Sequence, residues 1–143
     1  MPPKVTLFAA PLGRFLLSLI FVASAAGKLT DWQGTTQIMA AKNVPVIDVL
    51  LSIAIVLEIV GGLMVLLGLN ARWGAVVLLV FLIPVTVIMH NFWALPEAEQ
   101  REQMINFMKN ISIMGGLLMV VALGPGPFSI DNWWRKPRPA SGP

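Results

Sequence analysis

The chain has 143 residues, 57% of them hydrophobic and 12% charged, with a formal charge of +3 and a mean hydropathy of +0.79. Soluble domains carry about 25% charged residues, so a water-facing surface is excluded, and the length allows one domain. With no cysteine, no tyrosine and one histidine, iron–sulfur clusters, thiol redox chemistry, thiolate zinc sites, bis-histidine haem and tyrosyl acids are excluded too.

Four apolar stretches are each long enough to cross a hydrocarbon core of ~30 Å, which takes about 20 helical residues. They run over residues 5–29, 46–69, 73–95 and 104–123 and predict an all-α membrane four-helix bundle. The first combines Lys4, an apolar run from Phe15 to Val22 and the small residues Ala23-Ser24-Ala25, a pattern that also fits a cleaved signal peptide. Arg14, inside the longer hydrophobic segment, favours a retained span.

Thr30 to Val44 reads as a polar connection with Trp32 near the interface. Asn43 and Pro45 then mark a helix start, with Asp48 in the first turn, where the helix dipole favours an acid. Only Asn70-Ala71-Arg72 separates spans two and three, which makes them antiparallel neighbours. Pro84 is expected to kink span three. The acidic connection from Pro96 to Gln103 can begin the fourth helix early. Gly61-Gly62-Leu63-Met64-Val65 echoes Gly115-Gly116-Leu117-Leu118-Met119-Val120, and close helix contacts at glycine pairs explain the echo better than a duplicated hairpin. Trp133 and Trp134 beside Arg135-Lys136 read as an interfacial anchor. The domain is therefore expected over residues 1–131, with a basic, Pro-rich tail over 132–143. Lys4, Arg14, Arg72, Arg135, Lys136 and Arg138 share one side, so the positive-inside rule places both termini in the cytoplasm.

An ionisable group near the bilayer centre costs at least ~2.5–3.5 kcal/mol, yet every span carries one. Residues three, four or seven apart share a helix face. Arg14, Ser18, Ala25 and Lys28 form one stripe, and Glu58 shares a face with Gly61 and Gly62. Thr86 and His90 form a third stripe, and Asn106, Lys109 and Asn110 a fourth. Counting about 21 Å from Lys28 to Arg14 and about 18 Å from Val46 to Glu58 makes Arg14 level with Glu58 and predicts a buried Arg14–Glu58 ion pair. Lys28, His90, Asn91, Asn106, Lys109 and Asn110 are expected nearer the opposite face. A fourth helix starting at Pro96 would bring Lys109 within reach of Glu58. The plainer reading is that these groups glue helices together, that Lys28 snorkels to the interface and that His90 packs.

A wet, cationic pocket with one histidine and aromatic edges suits a quinone headgroup, whose carbonyls accept hydrogen bonds, or a small anion. His90 and Lys109 are the candidate catalytic groups. Lys28, Asn91, Trp93, Asn106 and Asn110 are candidate ligand contacts. No metal site is expected. No flavin, haem or iron–sulfur signature is present, so electrons would come from a partner.

Several of these motifs, taken in order, resemble the DoxX family. They are Arg14 with Gly27-Lys28-Leu29, Glu58 with Gly61-Gly62 and Leu66-Leu67-Gly68, and His90 with Trp93. Asn106-Phe107-Met108-Lys109-Asn110, Gly115-Gly116-Leu117-Leu118, Gly124-Pro125-Gly126 and Ser129-Ile130-Asp131 complete the set. The resemblance spans about Gly13 to Asp131. It implies a four-helix protein of the bacterial inner membrane, the family being named for a small subunit of thiosulfate:quinone oxidoreductase. Together with the converging polar stripes, it implies a membrane subunit of an oxidoreductase complex that presents a quinone or small-anion pocket to a partner enzyme. The expected partners are the bilayer, a soluble or membrane oxidoreductase subunit and a second copy of the chain, without nucleic acid. A non-catalytic scaffold or a small-solute transport protein is the alternative.

Overall fold

The computed structural model describes residues 3–134, and the part of the expected Pro-rich tail beyond Trp134 lies outside the described residues. The elements are α1 (Pro3–Thr30), α2 (Trp32–Ala41), α3 (Ile47–Leu67), α4 (Ala71–Met89), a 3₁₀ turn (Phe92–Ala94), α5 (Glu97–Leu123) and α6 (Ile130–Trp134), with no strand among the described residues. Four of these segments are long and apolar enough to cross a membrane: Leu7–Thr30, Ile47–Leu67, Ala71–Ala94 and Glu97–Leu123. In hydrocarbon every backbone polar group must find its partner within the segment, and an unbroken apolar run does so as a helix. Pro84 lies inside α4 without ending it.

Two boundaries differ from the sequence reading. Residues between spans one and two do not form a loop; they form α2. The Asp31 side chain caps it by accepting from the Gly34 N–H at 3.0 Å, the usual role of an aspartate at a helix start. α2 docks on α3 through Trp32, whose Nε1 donates to Asp48 at 3.3 Å, and through Met39, which packs on the buried trio Ala25, Leu51 and Ile55. The fourth span starts at Glu97, with Glu97 and Glu99 in its first turn, where the dipole favours acids.

The spans pack in the order α1, α3, α4, α5, each against the next, while α1 and α5 barely touch. Ala10 of α1 faces Gly126, so the chain enters and leaves the bundle at the same end. One buried layer joins all four spans: Phe21, Val65, Ala75, Leu78, Leu82 and Leu117. Outside it, Phe8, Phe15, Val56, Val80, Ile83 and Met119 are exposed, an apolar surface suited to lipid.

α3 and α4 cross on glycine. A Cβ at Gly61 would stand 2.7 Å from Leu78 Cγ and 3.3 Å from the Gly74 carbonyl, and one at Gly74 would stand 2.6 Å from Met64 Cβ. Gly115, in the echoing motif, has nothing within 4 Å. Gly74→Val is therefore expected to destabilise the bundle by about 1–3 kcal/mol through overpacking, and Gly115→Ala to leave it unchanged. Unfolding of the purified variants in a denaturing detergent series measures both, and equal stability of the two would refute the crossing. α3 ends at Gly68, whose φ of 65° is left-handed. Its N–H donates to Val65 O and that of Leu69 to Met64 O, closing the helix as glycine stops do.

Candidate functional site

Antiparallel packing of α1 on α3 sets Lys28 opposite Glu58. The Lys28 ammonium donates to both Glu58 oxygens at 2.8 Å and to Ser24 Oγ at 2.5 Å, and the Ser24 hydroxyl donates to Glu58 Oε1 at 3.0 Å. Ser24 and Lys28 lie one helical turn apart, so both reach the same carboxylate. Glu58 is 4% exposed. A charge this deep persists only when paired and hydrogen-bonded.

This arrangement corrects the expected Arg14–Glu58 pair. Arg14 lies at the other end of α1, against Gly68, and its Nη2 donates to the carbonyls of Pro127 at 3.3 Å and Phe128 at 2.6 Å. Gly68 is ten residues from Glu58 along α3, roughly 15 Å at helical rise. The depth count treated Lys28 and Val46 as level. They are not, because α2 occupies the connection and α3 begins farther out than α1 ends.

α4 and α5 complete the site. Asn110, buried, donates from Nδ2 to Thr86 Oγ1 at 3.1 Å, and the Thr86 hydroxyl donates to Leu82 O at 2.6 Å. His90 Nδ1 lies 2.8 Å from Gln103 Oε1. An amide oxygen only accepts, so the ring donates from Nδ1 in this contact. Lys109 Nζ donates to Asn106 Oδ1 at 2.9 Å on an exposed face. Lys28, Glu58, His90, Lys109 and Asn110 all line one chamber of about 280 Å³, with Ser24 beside them and Phe21, Leu82, Val85, Met89 and Ile113 as apolar wall.

Five of the sequence candidates thus converge, and the other four do not. Asn91 accepts from Lys42 Nζ at 2.8 Å and ties the end of α2 to the end of α4. Trp93 is exposed and stacks edge-on with Phe92 and Phe107, at 5.2 and 5.8 Å between centroids. Asn106 holds Lys109 from outside the lining, and Arg14 stands apart. Two residues were missed. Ser24 carried a signal, its four-residue spacing to Lys28. Gln103 carried one too, its spacing of three and seven residues to Asn106 and Asn110, once the helix is taken to start at Glu97.

Lys28 and Glu58 cancel, so Lys109 is the uncompensated charge on the chamber wall. The chamber therefore offers hydrogen-bond donors and acceptors in an apolar surround more than it offers a cationic trap. Below it, the layer of Phe21, Val65, Leu78 and Leu117 separates the chamber from Arg14.

The DoxX family model matches residues 9–91, which takes in Arg14, Lys28, Glu58 and His90 and stops before α5. The chain is 32% identical to Inner membrane protein YphA of Escherichia coli (strain K12) over 85% of this chain and 86% of that protein. It is 34% identical to Inner membrane protein YqjF of the same organism, over 86% of this chain and 89% of that protein. A Surfeit locus protein 4 homolog of Drosophila melanogaster is 29% identical over 87% of this chain, but that match covers 40% of the fly protein. No solved structure matches significantly.

Proposed function

The chain belongs to the DoxX family, and from that membership we propose that it is a multi-pass inner-membrane protein whose chamber receives a quinone headgroup on behalf of a partner oxidoreductase. One observation carries the reading: polar side chains from all four spans converge on a single chamber with otherwise apolar walls. The bundle invests four costly intramembrane groups there. Helix adhesion needs no free volume between them.

Charge favours quinone over a small anion. Glu58 already neutralises Lys28, so an anion would meet only the exposed Lys109, whereas a quinone carbonyl needs donors and no net charge. Lys109 and Asn110 would supply donors, and the His90 imidazole a further hydrogen-bonding group on the same wall. A bound quinone would supply the redox capacity. This chain's own residues bind it, orient it and exclude bulk water. Electrons come from a partner, because no residue pattern for a flavin, haem or iron–sulfur centre occurs in the sequence.

The test is extraction in mild detergent followed by mass spectrometry of organic-soluble ligands and co-purifying proteins. Quinone is expected to accompany the wild type and to fall about tenfold in Lys109→Ala and His90→Ala, the effect of losing one useful hydrogen bond. Bulk lipid alone, identical in all three preparations, would overturn the reading and favour a scaffold.

A further inference from the structure

α1 and α5 leave the bundle open along one side. Their closest approach sets Gly116 against Leu17, where a Cβ on the glycine would stand 3.2 Å from Leu17 Cδ1. Along this seam lies a trough of about 650 Å³, running from Lys109 to the Gly124-Pro125-Gly126 turn. Leu16, Leu17, Val120 and Leu123 make its walls mostly apolar, with Ser112 near the Lys109 end and Arg14 lining it beside Gly13. Gly13 opens it further, with nothing within 4 Å of where its Cβ would stand. Lys109 and Ile113 line both the trough and the polar chamber, so the two spaces share a boundary.

The dimensions suit a tail. From Lys109 to Gly124 the trough follows fifteen residues of α5, about 22 Å at helical rise. That exceeds the ~15 Å depth of one leaflet's hydrocarbon. Resting on the reading of the chamber as a headgroup site, we infer that the trough holds the tail of the same ligand, a long-chain quinone that enters sideways from the bilayer between α1 and α5. A hydrocarbon tail gains nothing by leaving lipid for an equally apolar groove. The trough therefore orients the tail through packing alone, and its occupancy depends on the head being anchored in the chamber. Ordinary acyl chains would fill the same groove without that dependence.

The dependence is the test. The full chain in lipid nanodiscs is photolabelled with a decyl-tailed benzoquinone carrying a diazirine at the tail end. A second probe, a tail-less benzoquinone with the diazirine on the ring, reports the chamber separately. The tail probe is expected to label peptides containing Leu17 and Val120 about tenfold more than those containing lipid-facing Val56 and Val80. Excess unlabelled tail-less benzoquinone should remove that preference. Gly13→Leu, placed where the fold has room, should do the same while ring labelling of the chamber persists.

Even labelling of all faces, or trough labelling that the tail-less quinone fails to displace, identifies bulk acyl chains and overturns the inference. Absence of label from the trough, as when a second copy of the chain covers it, also overturns it. In each of those cases persistent ring labelling leaves the headgroup reading standing. Failure of the ring probe to label the chamber overturns both.

Discussion

Lys28→Met is expected to destabilise the bundle by about 3 kcal/mol, near the lower end for breaking a buried ion pair. The low end applies because the Lys28 side chain keeps 24% of its exposure while that of Glu58 keeps 5%. The loss arises less from the missing attraction than from what remains: a carboxylate between α1 and α3 with only the Ser24 hydroxyl donating to it. Glu58→Leu should behave alike, because it strands the ammonium. The double variant Lys28→Met/Glu58→Leu should recover most of the stability, since two apolar residues of similar volume need no partner. Unfolding midpoints in a denaturing-detergent series for the two single variants and the double one give the coupling directly. Additive losses would mean that the pair is not an energetic unit. The same double variant also separates stability from function. If the chamber binds a quinone head, the repacked protein should fold and yet lose the ligand.

The second large effect is expected at Arg14. Its guanidinium holds the Pro127 and Phe128 carbonyls from inside α1, and together with Ser129 of the returning chain it fills the space where a side chain at Gly68 would stand. That returning segment closes the α3–α4 turn. The Asp131 carboxylate accepts from Asn70 N at 2.7 Å and Ala71 N at 3.2 Å, and Asp131 N donates to Gly68 O at 2.9 Å. Three parts of the chain are thereby locked at one end of the bundle. Arg14→Ala should cost about 2 kcal/mol, the worth of a charge-assisted hydrogen bond. The sum of two bonds would be too much, because Nε and Nη1 of the same side chain are buried without partners. The first consequence should be local: α6 and its exposed Trp133 and Trp134 detach before the spans separate. Limited proteolysis next to Phe128 should therefore accelerate in Arg14→Ala at temperatures where the bundle stays folded. Arg14→Lys should rescue part of the loss, since both bonds come from Nη2 alone and one ammonium can donate to two carbonyls. A proteolysis rate equal to that of the wild type would show that α6 is held by Asp131 alone.

Much of this architecture was legible in residue order. The four spans follow from the lengths of unbroken apolar runs, because a chain in hydrocarbon has few options besides a helix. The early start of α5 was legible in Pro96, Glu97 and Glu99. The grouping of Lys28, His90, Lys109 and Asn110 could be anticipated from helical spacing, since polar faces in lipid tend to turn inward, whereas the place of Glu58 among them could not. Helix α2 could have been read from Asp31 as a cap, but its polar composition resembles a loop.

What the sequence by itself determined is therefore the number of spans, the boundaries of the first three within a few residues, and the polar stripe along each face. Periodicity and apolar length are local properties, and each helix carries them whole. Only the tertiary structure decided the depth at which those faces meet. Whether Glu58 pairs with Lys28 or with Arg14 depends on how far α3 slides along α1. That slide is set by α2 filling the connection, by Phe21 against Gly62, and by Arg14 meeting Gly68 and the returning 127–128 segment. The Phe21 and Arg14 contacts join residues more than forty positions apart, and they leave no trace in local spacing. The opening between α1 and α5, which joins the chamber to the trough, is decided in the same way, by the packing of four helices at once.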